Sequence, residues 1–196
     1  DVYSIRKNHT IRCIPELPEV HTTATILNKL VKNQTIKSVW TDYNSAYYKG
    51  KETIKDPVYF AKFKKAVAGR KILRVWRRAK NVLIDIEGEQ TILVHMKMTG
   101  HLLYGNYSYN QRAEWKWSSK EKYLSDPFNR FVHFVIELQN GKHIAFSDMR
   151  KFATVKLIPD RIALTSEFAQ TGPEPLDPKF DWQELRRALM QKKKKK

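Results

Sequence analysis

The sequence predicts a mainly β chain with flanking helices, arranged as a two-layer antiparallel β-sandwich. Three observations carry this. From Gly69 to Ile158 the apolar residues alternate or fall in short runs, the spacing of half-buried and fully buried strands. Asn140-Gly141 is the strongest short hairpin signal a sequence can give. Ahead of Gly69, two segments carry helical rather than strand periodicity. At 196 residues there is room for one domain, or for one domain and a fragment of a second, with a sizeable core.

The elements follow in order. Residues 18–32 read as an amphipathic helix, with Val20, Ala24, Leu27 and Val31 on one stripe and Lys29 and Lys32 off it. Pro18 at its start loses nothing, because its missing N–H would have had no helical partner, and Glu19 suits the positive end of the helix dipole. Residues 34–40 alternate as a strand. Asp56-Pro57 supplies an N-cap and first helical residue, and Gly69 closes a helix carrying Phe60, Phe63 and Val67. Strands are predicted at 72–76, 82–86, 92–96, 101–104, 131–138, 143–146 and 152–158. Residues 106–130 are long, polar and weakly periodic, which predicts a mobile loop. Within it Trp115 and Trp117, interleaved with Lys116 and Lys120, suit base stacking or the flanks of a β-hairpin equally well. Residues 171–178 form a rigid, Pro-rich connector, after which Asp181 and Glu184 make a capping-box-like start to a last helix. That helix runs into five lysines, which suits either an element cut short or a solvated basic tail.

The formal net charge is +17 and the sequence pI about 9.9. Residues 192–196 supply five of these charges, so the body still carries +12. Such a balance points to a polyanion partner, of which phosphate backbones are the commonest. A merely basic protein or a binder of anionic membranes would share it. No apolar run approaches the roughly 20 residues that cross a bilayer, and residues 1–14 lack the apolar centre of a secretory signal. The single cysteine, Cys13, excludes an internal disulfide and a cysteine-rich zinc site. The expectation is a cytoplasmic, nucleoid-associated monomer that meets no membrane.

Five segments, in order, carry a resemblance. They are PELPEVHTTATIL at 15–27, Arg77-Arg78-Ala79-Lys80 followed by the strand NVLIDI, and His95-Met96-Lys97-Met98-Thr99-Gly100. The last two are Asn140-Gly141-Lys142 leading to Ser147-Asp148-Met149-Arg150-Lys151-Phe152, and Thr171-Gly172-Pro173-Glu174-Pro175-Leu176. Together they resemble the formamidopyrimidine-DNA glycosylases and their endonuclease VIII relatives, from residue 15 to about 196. The matching patterns are the N-terminal Pro-Glu signature, an Arg-Arg-Ala-Lys strand, a His-Leu-Gly-Met-Ser-Gly turn, an Asn-Gly-Lys hairpin with an Asp-Pro-Arg-Arg-Phe loop, and a Gly-Pro-Glu-Pro-Leu connector. The implied fold is that family's N-terminal β-sandwich, ending before its helix–two-turn–helix domain. The implied domains are an extension at 1–14, a catalytic domain at 15–170, and a connector with the first helix of a second domain at 171–196.

The implied function is excision of oxidised purines (8-oxoguanine, formamidopyrimidine) from double-stranded DNA, with cleavage at abasic sites by β,δ-elimination. The resemblance makes Pro15 the nucleophile: a free secondary amine can attack C1′ and form a Schiff base. Glu16 would supply general acid–base chemistry. Lys80 would hold the phosphate next to the lesion. Met98, Arg150 and Phe152 would fill the gap left by the flipped nucleotide, with Lys151 beside them on the DNA. His95 and His133 are expected to be structural hydrogen-bonders. No metal is expected and no cofactor, the family's zinc finger having no four-cysteine counterpart here.

The sequence also departs from the pattern. Met149 replaces the proline and Lys151 the second arginine of the Asp-Pro-Arg-Arg-Phe loop, so a forked phosphate contact becomes a point charge. Lys97 replaces a glycine. Most consequentially, Pro15 follows Ile14, and a proline nitrogen inside a peptide bond is a planar amide that cannot attack carbon. The expectation is that Ile14 marks a mis-assigned start; a silencing or removable extension is the alternative. A catalytically silent DNA-binding module is the second functional reading, and a basic RNA- or ribosome-associated β-domain the third.

Overall fold

The computed structural model describes residues 15–111, 114–118 and 126–191. Two four-stranded antiparallel sheets form the body. The strands are β1 (Ile36–Thr41), β2 (Ile72–Arg78), β3 (Asn81–Ile86), β4 (Thr91–His95), β5 (His101–Gly105), β6 (Tyr107–Tyr109), β7 (Trp115–Trp117), β8 (Val132–Leu138), β9 (His143–Ser147) and β10 (Thr154–Ile158). The helices are α1 (Leu17–Val31), α2 (Pro57–Val67), α3 (Arg161–Glu167) and α4 (Trp182–Gln191). One sheet runs β1-β8-β9-β5 and the other β10-β4-β3-β2. The sandwich is the architecture the strand periodicity predicts.

Alternation along each strand decides what lies inside. Val82, Ile84 and Ile86 of β3 meet Phe134, Ile136 and Leu138 of β8 and Ile144 and Phe146 of β9 between the sheets. The α1 stripe of Val20, Ala24, Leu27 and Val31 joins the same core, as do Phe63 and Val67 of α2. Both outer faces are covered as well. Leu83, Leu93 and Ile158 pack under Leu164 of α3, while Val135 and Ala145 pack under the β6–β7 hairpin with Tyr107, Trp115 and Trp117. The hairpin corrects the expectation of a loop over 106–130, part of which (112–113 and 119–125) lies outside the described residues. Its tryptophans cover a sheet face instead of standing free.

Exposed sheet edges are satisfied locally. On β2, Asn28 of α1 accepts the Val75 N–H at 2.7 Å. On β10, the Val155 carbonyl accepts the Ile54 N–H at 3.0 Å, and the Tyr59 hydroxyl both accepts the Leu157 N–H and donates to its carbonyl. The Asn140-Gly141 turn closes with Gly141 at φ +80° and bonds from Gly141 N–H to Leu138 and from Leu138 N–H to Lys142. That is a three-residue turn with a glycine bulge, the alternative to a two-residue connection.

Gly100 is fixed by space. A Cβ there would lie 2.4 Å from the Met96 carbonyl oxygen and 2.5 Å from the buried Phe146 ring. Neither neighbour can yield without moving backbone or core, so Gly100→Ala is expected to cost about 2–3 kcal/mol, the upper range for overpacking. A urea-denaturation series on the two proteins checks this.

Candidate nucleic-acid interface and active site

The turns at one end of the sandwich hold Lys80, Met98, Arg150, Lys151 and Phe152. The β2–β3 turn carries Lys80, the β4–β5 turn spans 96–100, and the β9–β10 connection spans 148–153. The pairings Asn81 with His95 and Thr154 with His95 bring these three turns to a common edge. The start of α1 reaches the same end: Lys80 Nζ lies 2.5 Å from Glu16 Oε2.

Each part of that end is held by local chemistry. Glu16 precedes the helix, where Glu19 Oε2 accepts its backbone N–H at 3.1 Å, and Pro15 beside it is buried while the Glu16 side chain is exposed. Ala79 and Lys97 hold left-handed backbone, at φ +50° and +54°. Such angles favour glycine, and at Lys97 the family pattern has one. The turn thereby projects Met98 outward, 37% exposed beside the fully buried Met96.

Met98, Arg150 and Phe152 come together. Arg150 points an NH1 group at Met98 Sδ, 3.1 Å away, and its guanidinium lies 5.3 Å from the centre of the Phe152 ring. Phe152 is 53% exposed. An arginine flanked by a thioether and an uncovered phenyl ring offers a hydrogen-bond donor between two apolar wedges.

What holds them is Asp148, which is fully buried. Its Oδ1 accepts from Thr99 Oγ1 and, at 3.3 Å, from Arg150 N–H, while its Oδ2 accepts from Ala153 N–H at 2.9 Å. Arg150 N–H is shared with Thr99 Oγ1 at 3.2 Å. One carboxylate therefore locks the 96–100 turn to the 148–153 connection.

Lys151 sits beside the trio but turns away from it. Its ammonium lies 3.4 Å from Asp42 Oδ2, and its carbonyl accepts from the buried Lys55 Nζ at 2.6 Å. Asp42 also pairs with His133 Nδ1 at 2.8 Å. Burial raises the Asp42 carboxyl pKa, but its interactions with His133 and Lys151 outweigh it and hold it below the usual carboxylate range.

His95 is structural, as expected. Its Nδ1 accepts the Lys97 N–H at 3.1 Å, and burial, reinforced by Lys97 and Lys80, lowers its pKa to about 4. A histidine with a depressed folded pKa must lose a native preference when it charges. Stability from this site is therefore full above the unfolded value near 6.5 and falls as pH drops toward 4. Denaturant midpoints measured across that window should decline less steeply for His95→Gln than for the parent.

The connector docks on the same end. Arg77, whose side chain is 4% exposed, donates to Glu174 Oε2 at 3.0 Å and to Oε1 at 2.5 Å. Arg78 adds bonds to Glu174 Oε2 at 3.2 Å and to the Gly172 carbonyl at 2.7 Å. Two motifs nearly a hundred residues apart are thus one structural unit. The roles of Asp148, Glu174 and Asp42 escaped sequence reasoning. The first two stand inside quoted motifs, but Glu174's arginine partners and Asp148's partner Thr99 are remote. No group of His, Cys, Asp and Glu among the described residues could hold a metal ion, and no described helix is long and apolar enough to cross a membrane.

Comparison with known proteins bears on the family and the fold. The Formamidopyrimidine-DNA glycosylase N-terminal domain family matches residues 14–155. A Formamidopyrimidine-DNA glycosylase of Chloroflexus aurantiacus is 33% identical over 171 residues, which is 85% of this chain and 51% of that protein. One from Heliobacterium modesticaldum is 28% identical over 183 residues, 93% of this chain and 58% of its own length. The chain thus spans about half the length of the curated relatives it matches. Among solved structures, Lactococcus lactis Fpg in complex with abasic-site DNA superposes with a TM-score of 0.66 at 24% identity, covering 89% of this chain and 55% of that one. At that identity the likeness speaks to the fold. With the family match spanning most of the sandwich, the chain belongs to the formamidopyrimidine-DNA glycosylase N-terminal domain family.

Proposed function

We propose that this chain carries the catalytic domain of a DNA base-excision glycosylase and abasic-site lyase acting on oxidised purines, with Pro15 as nucleophile. The observation that carries the reading is the meeting, at one end of the sandwich, of the Glu16–Lys80 pair with the exposed Met98, Arg150 and Phe152. A duplex seated there places wedge and chemistry on the same nucleotide step.

The steps follow from the groups present. The Pro15 nitrogen, once free, attacks C1′, and the bond from C1′ to the base breaks as the base takes a proton and leaves. Glu16 receives the ammonium proton and returns it to the sugar ring oxygen as the ring opens, leaving a cationic iminium between Pro15 and C1′. The iminium draws electrons, so a C2′ proton is lost and the 3′ phosphate departs; a second elimination releases the 5′ phosphate. Lys80, paired with Glu16 in the absence of DNA, has a phosphate as its competing partner.

The experiment is strand cleavage of an abasic-site duplex by a chain beginning at Pro15. Phosphates on both sides of the gap are expected, with Glu16→Gln slower by at least ~100-fold, the usual worth of a general acid–base group. Intact strands would leave a second reading, damaged-DNA binding without chemistry. It is favoured by one observation, the peptide bond from Ile14 to Pro15.

A further inference from the structure

Three tyrosines and three lysines alternate away from the 148–153 connection. Lys151 Nζ lies 5.9 Å from the centre of the Tyr43 ring, and Lys55 Nζ lies 5.4 Å from Tyr43 and 4.7 Å from Tyr48. Lys51 Nζ then lies 5.1 Å from Tyr48 and 3.8 Å from Tyr47. Tyr47 and Tyr48 meet edge to face at 5.1 Å. The inner members, Tyr43 and Lys55, are buried, and the series surfaces at Tyr47, 75% exposed, and Lys51.

The loop that carries this series is anchored at several points. Ser45 N–H donates to the Lys55 carbonyl, Gly50 N–H to Asp56 Oδ2 at 2.9 Å, and Ile54 N–H to Val155 of β10. The loop's acids Asp42 and Asp56 are occupied, by His133 with Lys151 and by the Gly50 and Val58 N–H groups. Glu52 is its remaining carboxylate. A fixed aromatic face beside a cation has the composition of surfaces that track nucleic-acid strands, where bases or sugars pack on rings and phosphates meet ammonium groups. It is joined to the wedge residues through Lys55, whose ammonium holds the Lys151 carbonyl.

We propose that Tyr47 and Lys51 form a further nucleic-acid subsite, in which Lys51 meets a backbone phosphate and the Tyr47 ring packs on that nucleotide, outside those engaged by Met98, Arg150 and Phe152. The proposal rests on the reading of that end as the DNA-binding end. It makes the β1–α2 loop a strand-holding arm.

The test measures binding of the 196-residue chain to duplexes with and without a tetrahydrofuran abasic analogue, between roughly 50 and 200 mM salt. Lys51→Ala should weaken both duplexes about 5- to 10-fold and reduce the salt slope by about one, the signature of one lost phosphate contact. Tyr47→Ala should weaken binding by at least ~5-fold, in keeping with stacking on one ring, with the slope kept. Lys142→Ala, at the opposite end of β9, is the control for charge alone. If both variants bind as Lys142→Ala does while the parent still prefers the analogue, the subsite is overturned and the function stands. Losses of the expected kind without lesion preference support the subsite and count against the function. A parent that binds neither duplex overturns both.

Discussion

Glu174→Ala is expected to be among the most damaging single substitutions in this chain, lowering stability by about 3 kcal/mol or more. Removing one partner of a buried ion pair leaves the other charged, desolvated and unpaired, which costs more than the pair contributes. Here the abandoned group is Arg77, with 4% of its side chain exposed and both terminal nitrogens on Glu174. Arg78 loses a partner as well, and with it part of its hold on the 171–172 carbonyls. For a protein of this size a change of 3 kcal/mol corresponds to roughly 6–12 °C in Tm. Glu174→Gln, which can still accept one bond, should fall between. Burial raises the Glu174 pKa, but the two arginines outweigh it and hold the carboxyl below its ordinary value of 4.5. A depressed carboxyl pKa means stability that is present above that value and lost as pH falls through the folded one. The gap between parent and Glu174→Ala should therefore narrow in acid, and thermal melts at pH 7 and below pH 4 decide it.

Asp148→Ala is expected to be equally severe, with a different signature. The fully buried carboxylate accepts three donors, and its removal strands the buried Ala153 N–H and the Thr99 hydroxyl, leaving the Arg150 N–H with Thr99 Oγ1 alone. Each unsatisfied buried donor costs about 1–3 kcal/mol. Even with partial rescue by water, a loss of about 2–4 kcal/mol follows. The functional effect should exceed the stability effect, since Asp148 bonds both the turn carrying Met98 and the connection carrying Arg150 and Phe152. Discrimination between damaged and undamaged duplexes should collapse well below the melting temperature of the variant, while salt-dependent binding to any duplex persists. Asp148→Asn keeps the Oδ1 acceptor and turns an amide toward the Ala153 N–H, so it should lie between the two.

Much of the sandwich was legible because burial imposes the strand period directly. The alternation in β8 and the apolar run Val82-Leu83-Ile84 of β3 each state which faces are covered. The β6–β7 hairpin was not, since three-residue strands carry too little periodicity. Nor was α3, although Asp160 caps it by accepting the Ala163 N–H at 2.8 Å. Its seven residues hold barely two turns of pattern. Of the candidate site residues, the resemblance singled out Pro15, Glu16, Lys80, Met98, Arg150 and Phe152, and the fold brings them to one end. The direction taken by Lys151 was not readable, because Asp42 lies 109 residues away and only the sheet places it there. The same is true of Glu174 with its arginines and of Asp148 with Thr99: pairings across the fold leave no local trace in sequence.

Borohydride trapping on a duplex containing 8-oxoguanine bears most directly on the proposed chemistry. The chain beginning at Pro15 should be reduced to a stable covalent adduct with DNA, and the chain carrying residues 1–14 should not. Loss of the adduct on Pro15→Gly would be partial, because glycine still offers an amine, whereas acetylating the Pro15 nitrogen should abolish it. No adduct from the Pro15 form, under conditions where it binds the duplex, would contradict the assignment of Pro15 as nucleophile.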